Sequence, residues 1–195
     1  MTFYKKITAL AAIALAGILS GSQAISYTEA KKNIEIVEEI EEIQTKLTLG
    51  EGFSANEQKV LDFFQKRGIT DKYALAVLLG NIKQESLFVS NICEGGARIP
   101  YHNCHRGGYG LIQWTTVGRY DGLGRHARNI GGDPSHIDTQ LSYLVTEVEW
   151  QKVENRFKTP GKSMDYYMNA AYYWLGWGIH GNRTHYSNQY LKALN

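Results

Sequence analysis

Apolar residues recur at helical spacing through most of the chain, and glycine or proline marks the breaks between the runs. Between residues 28 and 48, Ile36, Ile40, Ile43 and Leu47 stand four, three and four apart with glutamates between them, which predicts one amphipathic helix with a narrow stripe. The run is shorter than three heptads, so packing on the main body, self-association and a partly disordered spacer are all compatible with it. Gly50 and Gly52 then place a boundary near residue 51. Ser54 followed by Glu57 is a capping-box pattern, and Val60, Leu61, Phe63 and Phe64 give the helix after it an apolar face that Gly68 ends. A further helix starts near Thr70 or Asp71 and carries Tyr73, Ala74, Val77, Leu78, Leu79 and Ile82. Residues 91–110 are glycine-rich loop with room for a short hairpin, and the stretch from Gly110 to Ala127 re-enters helix. Pro134 and Asp138 introduce one helix running to about Phe157. Ser163 starts another that Gly176 stops, and a last helix covers about 182–194. With no internal repeat and no long strand-like alternation, the fold class is mainly α.

One residue interrupts this pattern. Glu85 lies seven positions after Leu78 and three after Ile82, so it projects from the apolar side of its helix near the C-terminus. Desolvation and the negative end of the helix dipole both disfavour a charged carboxylate there, and the pKa is expected to rise. A carboxyl that keeps its proton near neutral pH can serve as a general acid, as glycosidic bond cleavage requires. A solvated or ion-paired glutamate at a fraying helix end would leave the same pattern.

Composition changes the picture at the N-terminus. Lys5 and Lys6 precede an apolar run from Ile7 to Leu19, and Ser22, Gln23 and Ala24 supply small residues at cleavage spacing, so residues 1–24 read as a secretory signal peptide. The run is short of the roughly 17 to 25 residues that span a bilayer, so the membrane enters only if this segment stays uncleaved. The expected organisation is signal peptide 1–24, acidic helix or spacer 25–50, and catalytic domain 51–195. The two signal lysines account for the net charge of +2, which leaves a neutral exported chain and no electrostatic case for nucleic acid. Export also means oxidising surroundings, so Cys93 and Cys104 are expected to pair, stabilising a short loop by about 2 to 3 kcal/mol. A zinc site of Cys93, His102, Cys104 and His105 is the rival, although its spacing lacks the usual paired ligands.

The string "GNIKQESLF", followed by "YGLIQWT", a G-R pair and "QLSYLVTEV", resembles the phage-tail-type lysozyme domain of the lysozyme-like superfamily, and more distantly goose-type lysozymes and soluble lytic transglycosylases. The match covers roughly residues 55–180. It implies a lysozyme-like α+β fold, bacterial peptidoglycan as substrate, no cofactor and no metal. Carried over position by position, it makes Glu85 the catalytic acid and sets Ser86, Tyr109, Gly110, Gln113 and Trp114 along the sugar cleft. Gln113 suits an N-acetyl group, and the faces of Tyr109 and Trp114 suit sugar rings; a turn cap and plain core are the alternatives. Tyr172, Tyr173, Trp174 and Trp177 are candidates for the far wall, against a purely core reading. Leu87 stands where the transglycosylases have glycine, and their A-Y-N motif survives only as "NAAYYW", which favours the phage-type branch.

A second acid is unassigned between Glu94, nine positions after Glu85, and Asp121; substrate assistance by the N-acetyl group would need neither. The expected activity is hydrolysis of the β-1,4 bond between N-acetylmuramic acid and N-acetylglucosamine, by an exported enzyme or, if phage-encoded, one associated with the virion. The alternatives are a lytic transglycosylase, a Cys-His peptidase using Cys93 or Cys104 with His180 or His185, and a noncatalytic wall-binding protein.

Overall fold

The computed structural model describes residues 28–36, 46–105 and 107–195; the expected signal segment and residues 37–45 of the expected first helix lie outside the described residues. The chain divides into two units, Met1–Lys46 and Leu47–Asn195. In the first, residues 28–36 are helical and carry an exposed Lys31–Glu35 pair at 4.0 Å. Among the described residues no helix is long and apolar enough to cross a membrane.

The second unit is mainly helical. Helix α1 spans Ala55–Lys66 and α2 spans Lys72–Ser86. They are followed by α3 (Val117–Ile130), α4 (Ile137–Leu144), α5 (Val148–Gln151), α6 (Glu154–Lys158), α7 (Met164–Leu175) and α8 (Arg183–Ala193). The starts follow local chemistry. Ser54 and Glu57 form the full capping box of α1, Asp71 accepts from the N–H groups of Tyr73 and Ala74, and Ser163 accepts from Tyr166 N–H. In place of a regular hairpin, residues 92–114 hold isolated antiparallel bridges, Ile92 with Arg98, Cys93 with Tyr109 and Tyr109 with Trp114. The 110–116 stretch is turn and cap, and helix begins only at Val117.

Every residue of α2 from Ala74 to Ile82 is buried, including Gly80 and Asn81. A helix buried on all sides must be the centre of the core rather than one wall of it. Its main neighbour is α8. Gly80 faces Ser187, Lys83 lies against Tyr186 and Tyr190, and Glu85 meets Arg183, so one index rises as the other falls and the two helices run antiparallel. A Cβ at Gly80 would stand 2.5 Å from the backbone nitrogen of Ser187, so only glycine admits this crossing.

The helix expected over 138–157 is three pieces, α4, α5 and α6. Thr146 turns its hydroxyl back to Tyr143 O at 2.7 Å, and Glu147 takes extended backbone while Arg119 holds its carboxylate. Trp150 fills the space below the break, against Phe64, Phe157 and Trp174. At the edge of the unit, Thr48 and Asn195 exchange two backbone hydrogen bonds of 3.1 Å beside the Leu49–Leu194 bridge.

Candidate functional site

The end of α2 is built around Ser86. Its hydroxyl donates to Leu111 O at 2.9 Å and accepts from Phe88 N–H, which ties the helix terminus to the turn Gly110–Gln113. Gln140, wholly buried on α4, grips the same turn: its Oε1 accepts from Leu111 N–H, while its Nε2 donates to Ser90 O and Pro134 O. Gly110, at φ 73°, leaves no room for a Cβ beside the Gln140 amide. Leu87 and Phe88 follow Ser86 with φ of 51° and 61°, and Gln113 has φ 52°. These three are the non-glycine residues in the left-handed region among the described residues, and all lie on the two segments that Ser86 joins. Such strain persists only where surrounding bonds over-determine it, and it concentrates at functional sites.

Glu85 emerges here with its side chain only 15% exposed. One oxygen accepts from Arg183 Nη2, and Arg183 is itself buried, with Nη1 donating to Ile179 O and His180 O and its guanidinium 4.4 Å from the centre of the Trp177 ring. Arg183 Nε has no hydrogen-bond partner. Burial pushes the Glu85 pKa up, while Arg183 and, at longer range, Arg119 pull it down; burial prevails. The direction agrees with the sequence expectation, with desolvation as its cause. Arg119 is held from the other side by Glu147, at 2.6 Å from Nε to one oxygen and 2.9 Å from Nη2 to the other. Glu147 is nearly inaccessible, so its carboxylate neutralises the half-buried Arg119 guanidinium and is closed to water.

Arg183 was the main residue missed from sequence. It opens α8, where a positive charge meets the positive end of the helix dipole. A cation in that unfavourable place with no acid on its own first turn is a signal of a tertiary partner. Glu147, Arg119 and Gln140 were also missed; Arg119 and Glu147 are 28 residues apart, and Gln140 reaches Leu111 and Ser90 at 29 and 50 residues.

Several expected cleft residues are elsewhere. Tyr109 and Trp114 are fully buried: Tyr109 donates its hydroxyl to Ile99 O and packs against Tyr101, and Trp114 packs against Tyr143. Their ring faces belong to the core and cannot cover a sugar. Ser86 is buried as the tie just described, and Gly110 as the close approach. Trp174 is buried against Trp150. Gln113 is half-buried with its amide nitrogen donating to Gly110 O at 3.0 Å, so it closes its own turn. Tyr172 and Tyr173 are exposed, and Tyr172 stands edge-on to Trp177 at 5.4 Å. An aromatic face therefore continues outward from Arg183 and Glu85 through Trp177 to Tyr172 and Tyr173.

Neither expected second acid is joined to Glu85. Glu94 accepts from Gly108 N–H at 2.9 Å, and its own N–H donates to Gly108 O, so it staples the loop. Asp121 lines a separate hollow with Tyr101, Tyr120 and Arg125. Cys93 and Cys104 form a disulfide, which removes the thiolates that both the zinc site and the Cys-His peptidase required. Among the described residues no group of three or more His, Cys, Asp or Glu could hold a metal ion.

Comparison with curated proteins and with solved structures returns no match. A family model described as phage tail lysozyme matches residues 55–193, and the chain belongs to that family.

Proposed function

We propose that the protein is an N-acetylmuramidase that hydrolyses the β-1,4 bond between N-acetylmuramic acid and N-acetylglucosamine, with Glu85 as general acid. The family is lysozyme-like and peptidoglycan-lytic. The observation that carries the finer reading is a carboxyl with raised proton affinity, set at the end of a rigid buried helix beside the outward aromatic face of Trp177 and Tyr172. Protonated Glu85 gives its proton to the departing glycosidic oxygen as the C1–O bond breaks. With Glu94 tied to Gly108 N–H and Glu147 tied to Arg119, the arrangement favours a mechanism without a second protein carboxylate. The N-acetyl carbonyl oxygen of the substrate attacks C1, and water then opens that intermediate, giving up a proton to the Glu85 carboxylate. Residues 1–24 would deliver the enzyme to the wall as a cleaved signal peptide.

Glu94 and Glu147 being held by Gly108 N–H and Arg119 equally suits a lytic transglycosylase, where the muramyl 6-hydroxyl attacks in place of water. Mass spectrometry of digested walls separates the two, because the transglycosylase product ends in a 1,6-anhydro sugar lighter by one water. Purified walls should clear with the wild-type protein and fail to clear with Glu85→Gln, whose rate should drop by about 10²–10⁴-fold. Undiminished clearing would remove Glu85 from the chemistry.

A further inference from the structure

A hollow of about 540 Å³ opens on α3, away from the ties that hold Glu85. Its wall is a pair of tyrosines, Tyr101 and Tyr120, stacked 4.3 Å apart and locked reciprocally: Tyr101 donates to Tyr120 O at 2.7 Å, and Tyr120 donates to the carbonyls of Tyr101 and Cys104. The helix gives up stability to seat them. Gly124 lies inside α3, where glycine costs about 1 kcal/mol relative to alanine, and a Cβ there would stand 2.7 Å from the Tyr101 hydroxyl. The wall is thus built, and its hydroxyls are already spent.

The charges around it are unspent. Asp121, Arg125 and Arg128 lie four and three residues apart on one face of α3 and line the hollow, all exposed. None has an ion pair or hydrogen bond among the described residues. His102 adds a donor at the rim. Two guanidiniums and one carboxylate around an aromatic wall complement a small ligand with more than one carboxylate and one ammonium group. A phosphodiester polymer, uniformly negative along its backbone, would meet Asp121 as a repulsive neighbour.

We infer that this hollow is a subsite for the stem peptide of peptidoglycan, with Arg125 and Arg128 taking its carboxylates, Asp121 its free amine, and the Tyr101–Tyr120 stack its backbone. The inference rests on peptidoglycan being the substrate, as proposed above. The site would grade walls by peptide content without touching the glycosidic bond.

The test is calorimetric titration of the full chain with a synthetic stem tetrapeptide, N-acetyl-L-Ala, γ-linked D-Glu, diaminopimelate and D-Ala, whose diaminopimelate side-chain amine is its one ammonium group. The wild-type protein should bind it, and an Arg125→Gln/Arg128→Gln variant with an unchanged melting temperature should bind at least about tenfold more weakly. Acetylating the side-chain amine of the peptide should weaken binding to the wild-type protein. The double variant should cleave peptide-free glycan strands at the wild-type rate and intact walls more slowly. Absence of peptide binding, equal binding by the double variant, or binding of a glycerol-phosphate polymer in its place would overturn the inference. Binding without any wall cleavage would instead overturn the muramidase reading and leave the peptide site standing; cleavage without binding would do the reverse.

Discussion

Gly80→Ala tests whether the close crossing of α2 and α8 is what sets Arg183 against Glu85. The added methyl would stand 2.4 Å from Ser187 Oγ, 2.5 Å from its nitrogen and 2.8 Å from its Cα. Ordinary carbon contact begins near about 3.5 Å, so α8 must retreat by about 1 Å. Two of the three atoms are backbone, and no change of the Ser187 rotamer relieves them. Overpacking costs about 1–3 kcal/mol, and a backbone-to-backbone clash lies at the upper end. Alanine returns about 1 kcal/mol of helix propensity, leaving a net loss of about 2 kcal/mol and a Tm lower by about 4–8 °C for a chain of this size. The same retreat carries Arg183, one turn before Ser187, away from Glu85. A misplacement of about 1 Å at a reacting group can cost about 10²-fold in rate, so wall clearing should slow by at least about tenfold while the circular dichroism spectrum keeps its helical form. Adding Ser187→Gly removes only the hydroxyl contact and should leave most of the stability loss in place. A Gly80→Ala protein that melts at or above the wild-type temperature and clears walls at full rate would refute the reasoning.

The remaining predictions concern single devices. Glu85 has a raised pKa, so its contribution to stability is full below the ordinary carboxylate pKa of 4.5 and is lost as pH rises through the raised value. Glu85→Gln, which keeps an acceptor for Arg183, should therefore gain in melting temperature relative to wild type between about pH 4 and about pH 7; a constant difference would contradict the burial argument. Glu57 behaves oppositely: the hydrogen bond from Tyr190 outranks the other groups that hold its pKa down against burial, so its contribution is present above 4.5 and disappears as pH falls. Tyr190→Phe should remove part of that acid-side loss in pH-dependent melts. Replacing both Cys93 and Cys104 by alanine opens a loop with a sequence separation of 11 and should cost about 2–3 kcal/mol, read by urea denaturation. Leu87→Gly exchanges an exposed side chain at φ 51° for the residue that suits this conformation, and should stabilise by about 1 kcal/mol in the same assay.

What the sequence made legible was local. Ser54 with Glu57, Asp71 and Ser163 announced helix starts because a cap is a bond between residues two or three apart. Glu85 could be read as facing the core because helical period alone decides it. What stayed hidden depends on distant partners. Arg183 lies 98 residues from Glu85, and nothing in either neighbourhood names the other. The expected helix over 138–157 breaks because Arg119 draws Glu147 out of it. Aromatic residues were read for their chemistry, but burial decides their use: Trp114 and Trp174 look like sugar platforms in the sequence and are core, whereas Tyr172, two positions before Trp174 and so on the opposite side of α7, is exposed, and Trp177 lies just past the end of that helix, half-buried.

The paired backbone bonds between Thr48 and Asn195 have a consequence for how this unit can be carried. Chain enters and leaves the compact unit at one point, so splicing it into a surface loop of a host would separate the two halves of that loop by little more than one strand spacing. Such a unit can move between proteins as a cassette, and a permuted version with Thr48 and Asn195 joined through a short linker should fold with new ends cut elsewhere on the surface.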